Sequence, residues 1–228
     1  MNEHWRDQLR DERGRWVRYI FTNTDTVVDA NFASRIVEES SHVNARFKTT
    51  KEAASFVANS LGVCYDEAFA MVVSVNAWST PICSDIRRYQ TGKELQKISL
   101  EKAKYISDNI EKYISISPKW NGKTYRGISL SDDALSRYRD GIIVDMLGAS
   151  SWSDRYDVSK KFAKDNISNE NPNQVIFICD AQSKGTSIKH LSTRPEQNEI
   201  LVSKEAKYIV KKIDKRGEET WIYLNEEK

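Results

Sequence analysis

The chain is poor in cysteine, histidine and glycine, and each shortage removes a class of function. Cys64, Cys83 and Cys179 are far apart, odd in number and without CxxC spacing. That excludes a disulfide framework and a cysteine-rich zinc site, and it suggests a reducing compartment. His4, His42 and His190 lack metal-ligand spacing, so no metal is expected. Nine glycines form no glycine-rich phosphate loop, and no GxSxG nucleophile turn occurs. No run of about 18 apolar residues exists, so no membrane span is expected. Met1–Arg6 leads into acidic residues without an apolar stretch, so a secretory signal is not expected either. The expected location is the cytoplasm, or a host cell reached by a route that needs no signal. A formal net charge of +2 is too small to argue for nucleic acid or an anionic membrane. A monomer is expected.

What remains is an ordinary globular composition. The 228 residues are 39% hydrophobic and 30% charged, enough for one sizeable core or two small units pressed together. The first half reads as helices. Trp5, Leu9, Trp16 and Ile20 recur at helical spacing, with ion-paired charges on the other faces. A second helix is expected from Val27 to Glu39, and a third after the capping hydroxyls Thr49 and Thr50. The segment Tyr65–Trp78 is apolar around most of its girth and predicts a central buried helix; another runs from Ser99 to Ile114.

From Pro118 onward the character changes to short β-rich runs. Strands are expected at Thr124–Ser129, Ile142–Leu147, Val175–Cys179, Asn198–Val202, Tyr208–Ile213 and Trp221–Leu224, with one helix at Val158–Asp165. The fold class is therefore α+β: a helical N-terminal half packed on a mixed or antiparallel β-sandwich core. Residues 1–62 form the helical segment and 63–228 the main domain, expected as one compact unit.

Three short motifs carry candidate chemistry. In Tyr125-Arg126-Gly127, a guanidinium on a strand can grip a diphosphate through paired hydrogen bonds, and glycine lets a ligand approach the backbone. In Ser151-Trp152-Ser153, hydroxyls two apart on a strand share a face. One can bind ligand while the other braces a carboxylate. In Gln197-Asn198-Glu199, the carboxylate stands at the mouth of a buried strand, able to hold ribose hydroxyls and stabilise developing positive charge. Gln197, two residues earlier, shares its side and can address an acceptor. Each has a plainer alternative: a solvent-facing arginine, a capping turn and a charged surface turn.

Taken in order, the three resemble the R-S-E group of mono-ADP-ribosyltransferases, which includes clostridial exoenzymes, binary actin-modifying toxins and coliphage enzymes. The flanks are similar too: Asp157–Ala163 (DVSKKFA) looks like the helix that follows Ser-x-Ser, and Ile86–Gly92 like a helix end near the NAD site. The resemblance covers roughly residues 65 to 225 and makes 63–228 an ADP-ribosyltransferase catalytic domain.

It implies NAD as substrate, with Arg126 at the phosphates, the Gly127 backbone on the nicotinamide amide, and Phe162 and Tyr89 beside the cofactor. It further implies that Ser151 and Glu199 bind the nicotinamide ribose, Ser153 holds Glu199, Gln197 positions the acceptor, and Glu199 stabilises the transition state. Gln at 197 goes with acceptors other than arginine. Two features depart from the pattern. Trp152 replaces the usual central Thr, and the family's Asn-x-x-Leu-Arg has no match around Ile98–Glu101. The expected partners are NAD and an acceptor protein. Water as acceptor would make the chain an NAD glycohydrolase, and the third reading is a binding protein that keeps the fold without turnover.

Overall fold

The computed structural model describes residues 46–227. The helices expected at Trp5–Ile20 and Val27–Glu39 lie outside the described residues.

Four helices come first: α1 (Thr50–Leu61), α2 (Tyr65–Trp78), α3 (Cys83–Gln90) and α4 (Leu100–Ile116). Thr49 caps α1 by accepting the Glu52 N–H at 3.1 Å, and Ser99 caps α4 by accepting the Lys102 N–H at 3.2 Å. In α2 nine residues are buried, including Met71, Val75 and Trp78. It is a central helix, as its apolar girth predicts. By contrast α3 buries only Asp85 and Ile86. The Asp85 carboxylate accepts the backbone N–H groups of Gln96, Lys97 and Ile98 and so ties down the loop that leads to α4.

The second half alternates strands with two helices. In chain order these are β1 (Gly122–Leu130), α5 (Asp132–Ser136), β2 (Ile143–Asp145), β3 (Ser150–Ser153), α6 (Tyr156–Asp165), β4 (Asn173–Gln182), β5 (Gly185–Ser187), β6 (Glu199–Val202), β7 (Lys207–Arg216) and β8 (Glu219–Glu226). The eight strands run β2-β7-β8-β4-β1-β3-β6-β5; β4 and β8 are parallel and every other pair is antiparallel. The class is α+β, helices on a mixed sheet. Strand β5 and helix α5 were not expected from the sequence.

Two apolar clusters hold these layers. One joins α1, α2 and α4 to Ala149, Ile188, Leu191 and Leu201 of the sheet region, so α1 shares a core with residues past 63. The other gathers Trp152, Phe177, Tyr208 and Ile222 on the opposite face. Each such side chain, fully buried, contributes about 1.5–3 kcal/mol. Trp152 belongs to this second core, and its indole N–H is satisfied by Ser150 Oγ at 2.9 Å. The departure from the family pattern at 152 thus faces apolar packing.

Gly127 meets a tight constraint. A Cβ placed there would lie 1.7 Å from the Ser159 carbonyl oxygen of α6. The backbone that comes close to this glycine is that of α6, and any side chain would push the helix off β1.

Candidate active site

The sheet is nearly cut between β1 and β3. They share a single registered pair, Tyr125 with Ser153, whereas β3 and β6 pair along all four residues. Beyond that pair the strands part, and Arg126 Nη1 donates across the gap to the Ser151 carbonyl at 2.7 Å. A side chain supplies the bond that the ladder no longer makes.

A second guanidinium faces the same place. Arg87, on α3, donates through Nη2 to the carbonyls of Met146 and Leu147. Its Nε is buried without a partner. Burial and the nearby Arg87 charge push Arg126 down to about 9, so it stays charged at neutral pH. Burial likewise lowers Arg87. No ion pair reaches either guanidinium among the described residues. Two desolvated cations held by carbonyls make a strong anion site. Gln90, one turn beyond Arg87, accepts the Ala149 N–H at 2.7 Å and fixes the approach to β3.

The acidic wall is Glu199, at the start of β6. It is 7% exposed. Its Oε1 accepts the Trp78 indole N–H at 3.1 Å, and the same N–H reaches Ser151 Oγ at 3.0 Å. The Ser151 hydroxyl lies beside the carboxylate and favours its ionised form. Burial raises the Glu199 pKa, and Ser151, Trp78 and Arg126 offset that rise without cancelling it. Cys83, on α3, feels the charges of Glu199, Arg87 and Arg126, so all three lie within electrostatic reach of one thiol.

Three residues stand differently from what the sequence implied. Ser153 was expected to hold Glu199; its Oγ instead donates to the Gln197 carbonyl at 2.7 Å and accepts the Arg155 N–H at 3.0 Å. Bracing of the carboxylate falls to Ser151 and Trp78. Gln197 ends a 3-10 turn, Pro195–Gln197, and Asn198 is left-handed at φ 47°. The strand alternation that was to align Gln197 with Glu199 therefore starts only at Glu199. Tyr89 interacts with Lys104 and Asp108 of α4. Two residues on, a helix turns about 200°, so Arg87 and Tyr89 point to opposite sides. Phe162 is 42% exposed on α6, beside the Ser159–Ala163 face that meets the sheet.

Sequence reasoning missed two participants. Arg87 was passed over in favour of Tyr89 in the same segment. Its i,i+4 relation to Cys83 was the available signal. Trp78 was read only as core, and nothing in periodicity announces the partner of an indole N–H.

No protein-family model matches the chain, and no curated protein sequence matches it. Solved structures do. The Vis toxin, an ADP-ribosyltransferase from Vibrio splendidus, superposes with a TM-score of 0.61 at 18% identity, covering 87% of this chain and 84% of its own. Exoenzyme S from Pseudomonas aeruginosa, in complex with human 14-3-3 protein beta and bound to carba-NAD, gives 0.59 at 19% identity, covering 86% and 87%. The ADP-ribosyltransferase HopU1 of Pseudomonas syringae gives 0.60 at 12% identity, covering 92% and 100%. At these identities the likeness shows the fold, which is that of ADP-ribosyltransferases.

Proposed function

We propose that the chain is a mono-ADP-ribosyltransferase of the R-S-E group, moving ADP-ribose from NAD to a side chain of a target protein with release of nicotinamide. The observation that carries this reading is a buried carboxylate, Glu199, within electrostatic reach of the buried Arg126 guanidinium, with the Arg87 guanidinium close behind it and neither arginine ion-paired among the described residues. NAD has the matching polarity: a diphosphate at one end and a ribose that gains positive charge at the other.

Arg126 and Arg87 would hold the diphosphate, each through charge-assisted hydrogen bonds. Ser151 and Glu199 would hold the nicotinamide ribose. As nicotinamide leaves, Glu199 stabilises the positive charge on the ribose, a contribution of about 3–4 kcal/mol for a well-aimed group in a desolvated site. Among the described residues no lysine or arginine forms an ion pair with Glu199, so its charge is free for that purpose. Ser153 and Arg155 pin the Pro195–Gln197 turn, with Arg155 Nη1 donating to the Glu196 carbonyl at 3.2 Å, so the acceptor side of the cleft is braced from β3. The acceptor is a side chain other than arginine, following Gln at 197. Action in the cytoplasm, or inside a host cell, belongs to the same proposal.

The test is transfer of labelled ADP-ribose from NAD into a cell lysate by the wild-type chain and by Glu199→Gln. Label on a lysate protein with wild type only is the expected result. Nicotinamide release without labelled protein would replace the transferase by a glycohydrolase. Absence of both would overturn the NAD reading.

A further inference from the structure

Trp78 closes α2, and that last turn is bonded to the acidic side of the cleft at several points. Asn76 Nδ2 donates to the Leu191 carbonyl at 3.1 Å, the Thr193 N–H donates to Ser79 Oγ at 2.9 Å, and Thr193 Oγ1 donates to the Ser79 carbonyl at 2.9 Å. Between them sits Trp78, 2% exposed, whose single N–H is shared by Ser151 Oγ and Glu199 Oε1. An indole can only donate. Ser151 Oγ therefore accepts from Trp78, which turns its own proton away from the indole.

We propose that Trp78 is a positioning residue that sets both the orientation of Glu199 and the direction of the Ser151 proton, coupling the helical core to the cleft. As a role in turnover this rests on the NAD reading; as a statement about the Glu199 carboxylate it stands without it. The groups facing Glu199 are Trp78 from α2, Cys83 from α3, Arg126 from β1 and Ser151 from β3. Of these Trp78 is the one that bonds both Ser151 and Glu199. Its N–H favours the ionised carboxylate, so losing it must move the titration of Glu199 to higher pH.

A matched control exists in the same molecule. Trp152 is also 2% exposed and also donates its indole N–H to a serine, Ser150, but on the far face of β3 in the other core. Trp78→Phe and Trp152→Phe each delete one buried indole N–H donor, which makes two hydrogen bonds at Trp78 and one at Trp152; the first alone touches Glu199.

The experiment is a pH titration of the Glu199 side-chain carboxyl by 13C NMR on the full 228-residue chain, assigned by its disappearance in Glu199→Gln. Nicotinamide-release kinetics are run beside it. In Trp78→Phe the Glu199 midpoint and the acid limb of the pH–rate profile move to higher pH. There kcat falls by about 10- to 100-fold, as when an outer partner of a site ligand is lost, while KM for NAD stays within about twofold. In Trp152→Phe the midpoint and the acid limb stay put. Should Trp78→Phe not fold, the wild-type Trp78 indole 15N–H resonance is followed instead. It titrates with Glu199 and is pH-independent in Glu199→Gln. A Glu199 midpoint unmoved by Trp78→Phe, or an indole resonance blind to Glu199, overturns the proposal. If the wild type releases no nicotinamide the NAD reading fails, and the titration still decides the positioning role.

Discussion

Two glutamates of this chain sit in nearly the same polar setting and behave in opposite ways. Glu219, beside α6, accepts the Trp221 indole N–H at 2.8 Å and the Tyr156 hydroxyl at 2.7 Å. Glu199 accepts an indole N–H from Trp78 and has the Ser151 hydroxyl beside it. Both are under a tenth exposed. Two things differ: Lys160 Nζ lies 2.8 Å from Glu219 while no ion pair reaches Glu199 among the described residues, and the Glu199 carboxyl lies much deeper, so burial weighs more on it. Burial raises both carboxyls, but Lys160 with Tyr156 and Trp221 more than offsets it at Glu219, which ends low. Glu199 ends high. One carboxylate is neutralised by its own protein and holds α6 to the sheet. The other is desolvated, oriented and left with unspent charge, the condition that a group needs to stabilise a cation arising on a substrate.

The contrast can be broken at four points, taken from the largest effect down. Gly127, which lets α6 close on β1, keeps the two regions apart. Gly127→Ala forces its Cβ against the Ser159 carbonyl and should cost about 3 kcal/mol or more, read as a lowered urea midpoint. Next, Arg126→Lys keeps the charge but loses the planar fork. NAD affinity by calorimetry should fall about 10- to 100-fold with little change in stability. Third, Glu219→Gln weakens the clasp of Tyr156 and Trp221 and should lower stability by about 1 kcal/mol at neutral pH, with nicotinamide release unchanged. Since the folded pKa of Glu219 is depressed, that loss holds above pH 4.5 and fades as pH falls through the folded value.

The smallest effect has the opposite sign. Glu199 is raised, so its ionisation works against folding once pH exceeds 4.5. Glu199→Gln should therefore raise the thermal midpoint slightly at pH 7, and the gain should fade as pH falls through 4.5 and vanish well below it, where both states are protonated. A loss of stability at pH 7 would place Glu199 with Glu219 and dissolve the contrast.

How much of this could be read from the chain follows the same divide. Segments that bury a regular face were legible. Strand β1 was expected at Thr124–Ser129 and spans Gly122–Leu130; β8 was expected at Trp221–Leu224 and spans Glu219–Glu226. Helix α2 matches its expected span because nearly every position from Ala68 to Trp78 is buried. Elements that bury little were not legible. Helix α3 hides two residues, and β5 has three residues, where Gly185 lies against Ile200 and Val202. Neither is long or apolar enough to show a period.

Order and spacing marked Arg126, Ser151 and Glu199, and the structure sets these three near one another. Partnership was not marked. Whether Ser153 bonds a carboxylate or a carbonyl depends on the left-handed Asn198, which shifts the chain before Glu199. That Arg87 turns inward while Tyr89 turns out depends on the phase of a short helix in which Ile86 is the one fully buried apolar residue. Local composition sets neither. Both are consequences of how the helical layer meets the split sheet.

The most direct test of the account is nicotinamide release from NAD by wild type, Glu199→Gln and Glu219→Gln, measured together. The account predicts release by wild type and by Glu219→Gln, and a loss on the order of 100- to 1,000-fold in Glu199→Gln, with all three folded. Equal release by wild type and Glu199→Gln, or none from a folded wild type, would contradict it.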